Sequence, residues 1–266
     1  MGGEVEMDGL RFDAELSRQI EAVYTTPDVV EQRRAVRAAL ALRPGDRVLD
    51  VGVGPGLLAA EMAGEVGPDG RICGIDISES MLAIARTRSE VPDGPGIELE
   101  LASVDRIPYP AESFDVVVST QVLEYVDDVA GALLEVRRVL RPAGRVVLLD
   151  TDWGSVVWRS HDDARMARVL TAFEDHLADP YLPRTLADVL VKTGFTPTHQ
   201  QVVPILNTGY DQRTFSGGLI DIVADFVPGH GDVTADEARD WADDLRGLGD
   251  SYFFSLNRYL FVASAL

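Results

Sequence analysis

The chain has 266 residues, 46% hydrophobic and 26% charged, with 24 basic against 44 acidic side chains and a formal net charge of −20. At about 150 residues per domain, that length gives one large domain or two small ones with a substantial core, and disorder, collagen and a disulfide scaffold are excluded. The longest uncharged apolar runs, such as Val146 to Leu149, fall far short of the ~20 residues a membrane helix needs, so no membrane partner is expected.

In chain order, the acidic start from Met1 to Glu6 lacks the basic-then-apolar pattern of a signal peptide, and a soluble, cytoplasmic protein is expected. Ala14 to Tyr24 and Val29 to Leu42 read as helices, with Pro27 near the start of the second. From about residue 45 to 151, short β-rich runs alternate with helix-length segments. Arg47 to Val51, Arg71 to Ile75, Ile97 to Leu101, Phe114 to Ser119 and Arg145 to Asp150 are predicted strands. Leu57 to Val66, Glu79 to Glu90 and Val129 to Leu140 are predicted helices, the last stopped by Arg141-Pro142-Ala143-Gly144. Near-continuous apolar strands separated by helices predict an α/β fold whose parallel sheet is covered on both faces. Downstream, Trp153 to Ala178 and Leu182 to Thr193 look helical, Thr198 to Leu206 looks like a strand, Phe215 to Val227 and Thr234 to Leu248 are helical, and Tyr252 to Ser264 is a long final strand. Residues 221–250 hold nine acids against two arginines, which a solvated acidic face accounts for.

Two features carry chemistry. The run Asp50-Val51-Gly52-Val53-Gly54-Pro55-Gly56-Leu57 leaves a strand and enters a helix, and its glycines let the backbone turn tightly and a ligand approach closely. The spacing is Gly-x-Gly-x-Gly; Leu57 stands where a dinucleotide loop has its third glycine, and no Gly-Lys-Ser/Thr follows. Asp50 before the glycines would repel a pyrophosphate but favour an ammonium or sulfonium, which points to S-adenosylmethionine (SAM). Asp76 ends the next strand, where an acid can accept hydrogen bonds from both ribose hydroxyls.

These residues, with Asp76-Ile77-Ser78 and Met81, Ile107-Pro108-Tyr109, Ser113-Phe114-Asp115 and Leu140 to Gly144, resemble the class I SAM-dependent methyltransferases, in particular the ubiquinone/menaquinone C-methyltransferase-like small-molecule enzymes. The likeness covers about residues 30 to 151. It implies a Rossmann-like seven-stranded, mostly parallel sheet with helices on both faces and an antiparallel last strand, plus a helical cap. It also implies SAM contacts from Gly52, Gly54 and Gly56 to the methionine portion, from Asp76 to the ribose, and from Ile77 and Met81 to the adenine. Where the family commonly has an acid for the adenine amino group, this chain has Ser103, a neutral and weaker acceptor, with the Val104 amide beside it and Asp105 two residues too late.

In an open α/β sheet the ligand lies at the carboxyl ends of the strands, so Gln121 is expected near the methionine end and Tyr24, at a helix break, over the cofactor. Asp152 and Trp153 are the first substrate-side candidates, with Trp158 and His176 in the same apolar pocket. His161 is the first candidate for a base, needed only if the acceptor's pKa is high. The lone Cys73 excludes Cys-based zinc sites, no His pair has metal-ligand spacing, and no metal is expected. Residues 1–42 are expected to form a helical lid, 43–151 the SAM-binding core, 152–250 a substrate cap with part of the sheet, and 251–266 the final strand.

The expected activity is methyl transfer from SAM to a small, largely apolar or aromatic metabolite, a quinone-like or secondary-metabolite acceptor. The alternative is a protein that holds SAM or its demethylated product S-adenosylhomocysteine (SAH) without methylating, as a regulatory module or a cofactor-assisted cyclase. Nucleic acid is not expected as a partner of so acidic a chain. A monomer or a homodimer is expected, the dimer resting on the apolar final strand.

Overall fold

The computed structural model describes residues 13–92 and 94–266; the first twelve residues of the expected lid lie outside the described residues. Helix α1 (Ala14–Tyr24) is started by the Asp13 carboxylate, which accepts from the amides of Glu15 and Leu16 at 2.9 Å. Helix α2 (Pro27–Leu40) begins on a proline, whose missing N–H is no loss in a first turn. Then come β1 (Arg47–Val51), α3 (Leu57–Val66), β2 (Arg71–Asp76), α4 (Glu79–Arg86), β3 (Ile97–Leu101), β4 (Phe114–Thr120) and α5 (Val129–Val139). The second half contains β5 (Leu140–Trp158), α6 (Asp163–Glu174), α7 (Leu186–Lys192), β6 (Phe195–Thr208), α8 (Phe215–Phe226), α9 (Ala235–Gly247) and β7 (Phe253–Ala265).

The strands form one seven-stranded sheet in the order β3-β2-β1-β4-β5-β7-β6. Strands β1 to β5 pair in parallel, and β7 runs antiparallel to both β5 and β6. The chain moves outward from β1 to β3 and then returns to β4, so the order reverses between β1 and β4. That switch point opens a crevice at the carboxyl ends of both strands, where ligands of open α/β sheets bind.

Alternate residues of each strand serve opposite faces. Leu49, Val117 and Leu148 pack with α5 and α7 on one face, whereas Val48, Val118 and Leu149 pack with α2 and α3 on the other. A third cluster joins α1, α6, α8 and α9 to the far ends of β5 and β7, with Trp158, Trp241, Phe254 and Leu256 at its centre.

The segment from Trp153 departs from its helical expectation. Strand β5 continues to Trp158, pairing Val157 with Ser255 and Trp158 with Phe254 after a bulge, and a helix begins only at Asp163. The β-branched pair Val156-Val157 favours this extension, and the partner that fixes it lies about a hundred residues away. Strands β5, β7 and β6 thus project beyond the short strands as an antiparallel arm that carries the cap helices. The apolar run of β7 is also explained within one chain, because β7 lies inside the sheet between β5 and β6. That placement removes the argument for a dimer through this strand. Among the described residues, no helix is long and apolar enough to cross a membrane.

Trp241 on α9 is fully buried and packs edge-on against Trp158, with ring centroids 5.2 Å apart. Trp241→Ala is expected to lower the unfolding free energy by about 3–5 kcal/mol in a urea titration. A loss under about 1 kcal/mol would mean that this cluster does not hold the cap.

Candidate active site

The turn after β1 is built by backbone hydrogen bonds to the neighbouring strand. The amides of Gly52 and Val53 donate to the carbonyl of Ile75 at 2.8 and 2.9 Å. The Gly54 amide donates to Asp76 Oδ2 at 2.8 Å, and the Ser78 amide donates to Asp76 Oδ1 at 2.9 Å. Gly52, Gly54 and Gly56 all have positive φ (71°, 52° and 78°). Their absent side chains nevertheless do different work. A Cβ on Gly52 would lie 2.1 Å from the Val122 side chain, and one on Gly56 would lie 3.0 Å from the Ala85 Cβ, whereas one on Gly54 would meet nothing within 4 Å. Only Gly54 therefore leaves room for a ligand; Gly52 admits the loop after β4, and Gly56 admits α4.

A cavity of about 770 Å³ opens at this turn, over the switch point. At the cofactor end its wall contains Asp50, Gly52, Gly54, Asp76, Ile77 and Met81, followed by Ser103, Val104 and Asp105. Tyr24 and Gln121 also line it, and Gln121 is held at φ 57° with its amide donating to the Leu149 carbonyl at 2.6 Å. The opposite end is aromatic and includes Tyr125, Trp153, Phe173, His176 and Phe215. Trp153 packs edge-on against Phe173 and His176, with centroids 5.3 and 5.6 Å apart. The structure thus brings most of the predicted cofactor residues, Trp153 and His176 into one enclosure.

Gly56, Asp152, Trp158 and His161 are not in this wall. Gly56 serves the packing of α3 on α4, as described above. Asp152, expected to act on the substrate, is held by the Arg184 guanidinium in a two-pronged ion pair at 2.8 and 2.9 Å. His161, the expected base, has a side chain 68% exposed, and its Nδ1 lies 2.6 Å from Asp244 on α9. Trp158 lies in the cap core, where its indole N–H donates to the Tyr252 hydroxyl at 3.0 Å. Each of these residues is engaged by a partner far along the chain. Among the described residues, no group of three or more His, Cys, Asp or Glu side chains is placed to hold a metal.

Burial sets the charges of the site. Asp50 is 1% exposed, and desolvation, reinforced by the Asp76 charge, pushes its pKa up to about 8. Burial likewise raises Asp76, opposed by the amides of Ser78 and Gly54. Below the aromatic end, burial raises Glu124 to about 8 and Asp150 to about 7. Asp150 Oδ1 accepts from the amides of Val122 and Glu124 at 3.3 Å, and Glu124 accepts from the Thr151 amide at 3.0 Å. Burial also lowers His176 to about 4. Its Nδ1 meets the Phe173 carbonyl, so the ring is neutral with Nδ1 as the donor, and Nε2 can accept a hydrogen bond but not retain a proton at pH 7.

Several wall residues escape a reading of the sequence. Asp105 follows Ser103 into the short turn Val104–Arg106, where the Ser103 hydroxyl donates to Asp105 Oδ2 at 2.7 Å. Both side chains border the cavity, the Asp105 carboxylate standing two residues beyond Ser103. Gln32 and Arg33 reach the wall from α2, and Arg258 reaches it from β7. Arg258 had one sequence signal, a charge in the middle of an otherwise apolar strand.

Fold, glycine turn and paired strand-tip acids define a nucleoside-binding α/β protein whose cavity continues to an aromatic wall. The family described as a methyltransferase domain matches residues 49–148. An uncharacterized 37.1 kDa protein in transposon TN4556 of Streptomyces fradiae is 32% identical over 253 residues, covering 92% of this chain and 70% of that protein. Demethylmenaquinone methyltransferase of Listeria welshimeri is 31% identical over 153 residues, 57% of this chain and 65% of that enzyme. Among solved structures, phosphoethanolamine N-methyltransferase 2 of Haemonchus contortus, with phosphomonomethylethanolamine and SAH bound, shares the fold at a TM-score of 0.61 and 20% identity, over 96% of this chain and 58% of that one. The chain belongs to the class I SAM-dependent methyltransferases, and SAM is its cofactor. The residues present fit it: Gly54 opens a space without a Cβ, Asp76 keeps acceptor capacity beyond the backbone amides it receives, and Asp50 offers a carboxyl group to a cationic ligand.

Two expectations follow. Below about pH 8 Asp50 is protonated in the ligand-free protein, so binding a cationic ammonium beside it expels that proton. The affinity for SAH should therefore fall as the pH drops from about 8 to 6, by up to about tenfold per unit, and Asp50→Asn should flatten the profile. Calorimetry across this range checks it; an equally steep profile in Asp50→Asn would remove the assignment. In a second set of titrations, Asp105→Ala should weaken SAH by about tenfold and Ser103→Ala by less, since a charged acceptor forms the stronger hydrogen bond.

Proposed function

We propose that the protein transfers the methyl group of SAM to a small, largely apolar or aromatic metabolite, a quinone-like or secondary-metabolite acceptor. The observation that carries this reading is the continuity of one cavity from the Asp50–Gly54–Asp76 end to the wall of Trp153, Phe173 and Phe215. A volume of about 770 Å³ lies in the range of small-molecule sites. The likeness to a demethylmenaquinone methyltransferase supports an acceptor of quinol type.

When bound, SAM supplies a methyl carbon on a sulfonium; the acceptor's electron pair forms the new bond while the carbon–sulfur pair stays on sulfur, giving SAH. The chain's contribution is alignment and exclusion of water. Asp76 and the glycine turn fix one partner, and the aromatic wall holds the other against it, so that much of the barrier is met by orientation. His176 Nε2 can accept a hydrogen bond from an acceptor hydroxyl and fix its direction. With its pKa lowered to about 4, it cannot keep the proton, so the acceptor reacts as its anion or through a proton lost to solvent.

Calorimetry of the cofactor-stripped protein is expected to show micromolar SAH binding, a loss of about tenfold or more in Asp76→Asn, and no binding of NADH. Formation of SAH from SAM with naphthoquinols and phenols then tests transfer. Failure of the folded protein to bind SAH would overturn the reading.

A further inference from the structure

We propose that Arg258 is the acceptor-recognition residue, pairing with an anionic oxygen of the methyl acceptor, either a carboxylate or an ionised phenol or enol. This rests on the methyltransferase reading. Arg258 is fully buried on β7 and forms part of the cavity wall. Its Nε donates to Thr151 Oγ1 at 3.3 Å and its Nη1 to Gln32 Oε1, both neutral oxygens. Among the described residues, Nη2 has no hydrogen-bond partner and no carboxylate lies within 4 Å of the guanidinium. A buried guanidinium has five donors to satisfy, and a pair of acceptors without charge leaves both its charge and its outer edge unmatched.

The two buried carboxyls that feel this charge do not substitute for a counterion. Glu124 and Asp150 already accept backbone amides, and burial raises both towards neutrality near pH 7. The Phe215 ring covers the guanidinium with its centroid 4.6 Å from Cζ, and Phe215 belongs to the aromatic wall. A planar anion lying along that wall meets apolar rings on its body and the unpartnered Nη2 donor of a charged guanidinium at its edge.

Position assigns this charge to the acceptor. Arg258 stands opposite Thr151 on β7, three strands from β1 in the sheet, or roughly 14 Å at ordinary strand spacing. Asp76 and the glycine turn lie on the far side of β4, at the tips of β1 and β2. In a chain of net charge −20 the surface repels an anionic acceptor, so an internal cation is what gives such a molecule a reason to enter.

The test uses SAH-saturated protein titrated with 2-naphthoate, 2-naphthol and the neutral 2-naphthamide. The expected result is that naphthoate or naphthol binds at least about tenfold tighter than the amide, the stronger of the two identifying which anionic oxygen is read. Arg258→Met should abolish that preference while leaving SAH affinity within about threefold, and Arg258→Lys should retain part of it. Equal binding of acids and amide, or binding of none of them, would overturn the proposal. A loss of SAH affinity of about tenfold in Arg258→Met would overturn it too, by assigning the guanidinium to the cofactor's own carboxylate. If Arg258→Met does not fold, the comparison of acid with amide on the unmodified protein still decides. Absence of SAH binding by the unmodified protein is a separate result, which removes the methyltransferase reading itself.

Discussion

At the tip of β2, one carboxylate receives two backbone amides from different parts of the chain. The Gly54 amide fixes the turn after β1 on Asp76 Oδ2, and the Ser78 amide fixes the start of α4 on Oδ1. A carboxylate has about four acceptor sites, so the acid that assembles the site keeps capacity to read a ribose hydroxyl. This double use explains why a carboxylate stays there despite burial that raises its pKa. Without it, the turn would keep only the bonds of Gly52 and Val53 to the Ile75 carbonyl, and Gly54 would lose the acceptor that fixes its position.

The second constraint is the unequal length of the strands. β1 to β4 end at the crevice, whereas β5, β7 and β6 run past it and carry α6, α8 and α9 on their extended ends. The cavity is therefore walled in part by elements carried on the same sheet that founds it. The arrangement also separates charge: carboxylates line the β1–β2 end and a guanidinium stands at the β7 end, with aromatic rings between. An isolated charge in such surroundings costs several kcal/mol, which stability alone would not retain.

Much of the cofactor half could be read from the sequence because its determinants are local. Positive φ selects glycine, a strand tip selects Asp76, and Ser78 caps its own helix, all within a few residues. The rest depended on distant partners. Val156 to Trp158 became strand because β7 lay alongside, Asp152 turned to Arg184, and His161 turned to Asp244, none of which is visible in a local pattern. A tight turn brings residues 103 and 105 to the same wall, a proximity that counting along the chain does not show. Arg258 was hidden within an apolar run that predicted a strand and drew attention to association instead.

The near-contact of Gly52 with Val122 has a consequence for how such a protein diversifies. Any side chain at Gly52 would drive into the Val122 side chain, so the turn after β1 and the loop after β4 fit as a pair of a glycine and a branched residue. Neither can drift alone. The helix that supplies Phe215 is bound by a fit of the same kind, since a Cβ on Gly217 would lie 2.3 Å from the Asp211 carbonyl oxygen and one on Gly218 2.6 Å from the Val23 side chain. The inner frame and the outer helix are therefore each held by glycines that admit a neighbour, and a change of side chain at either place has to be matched by a change in what it faces.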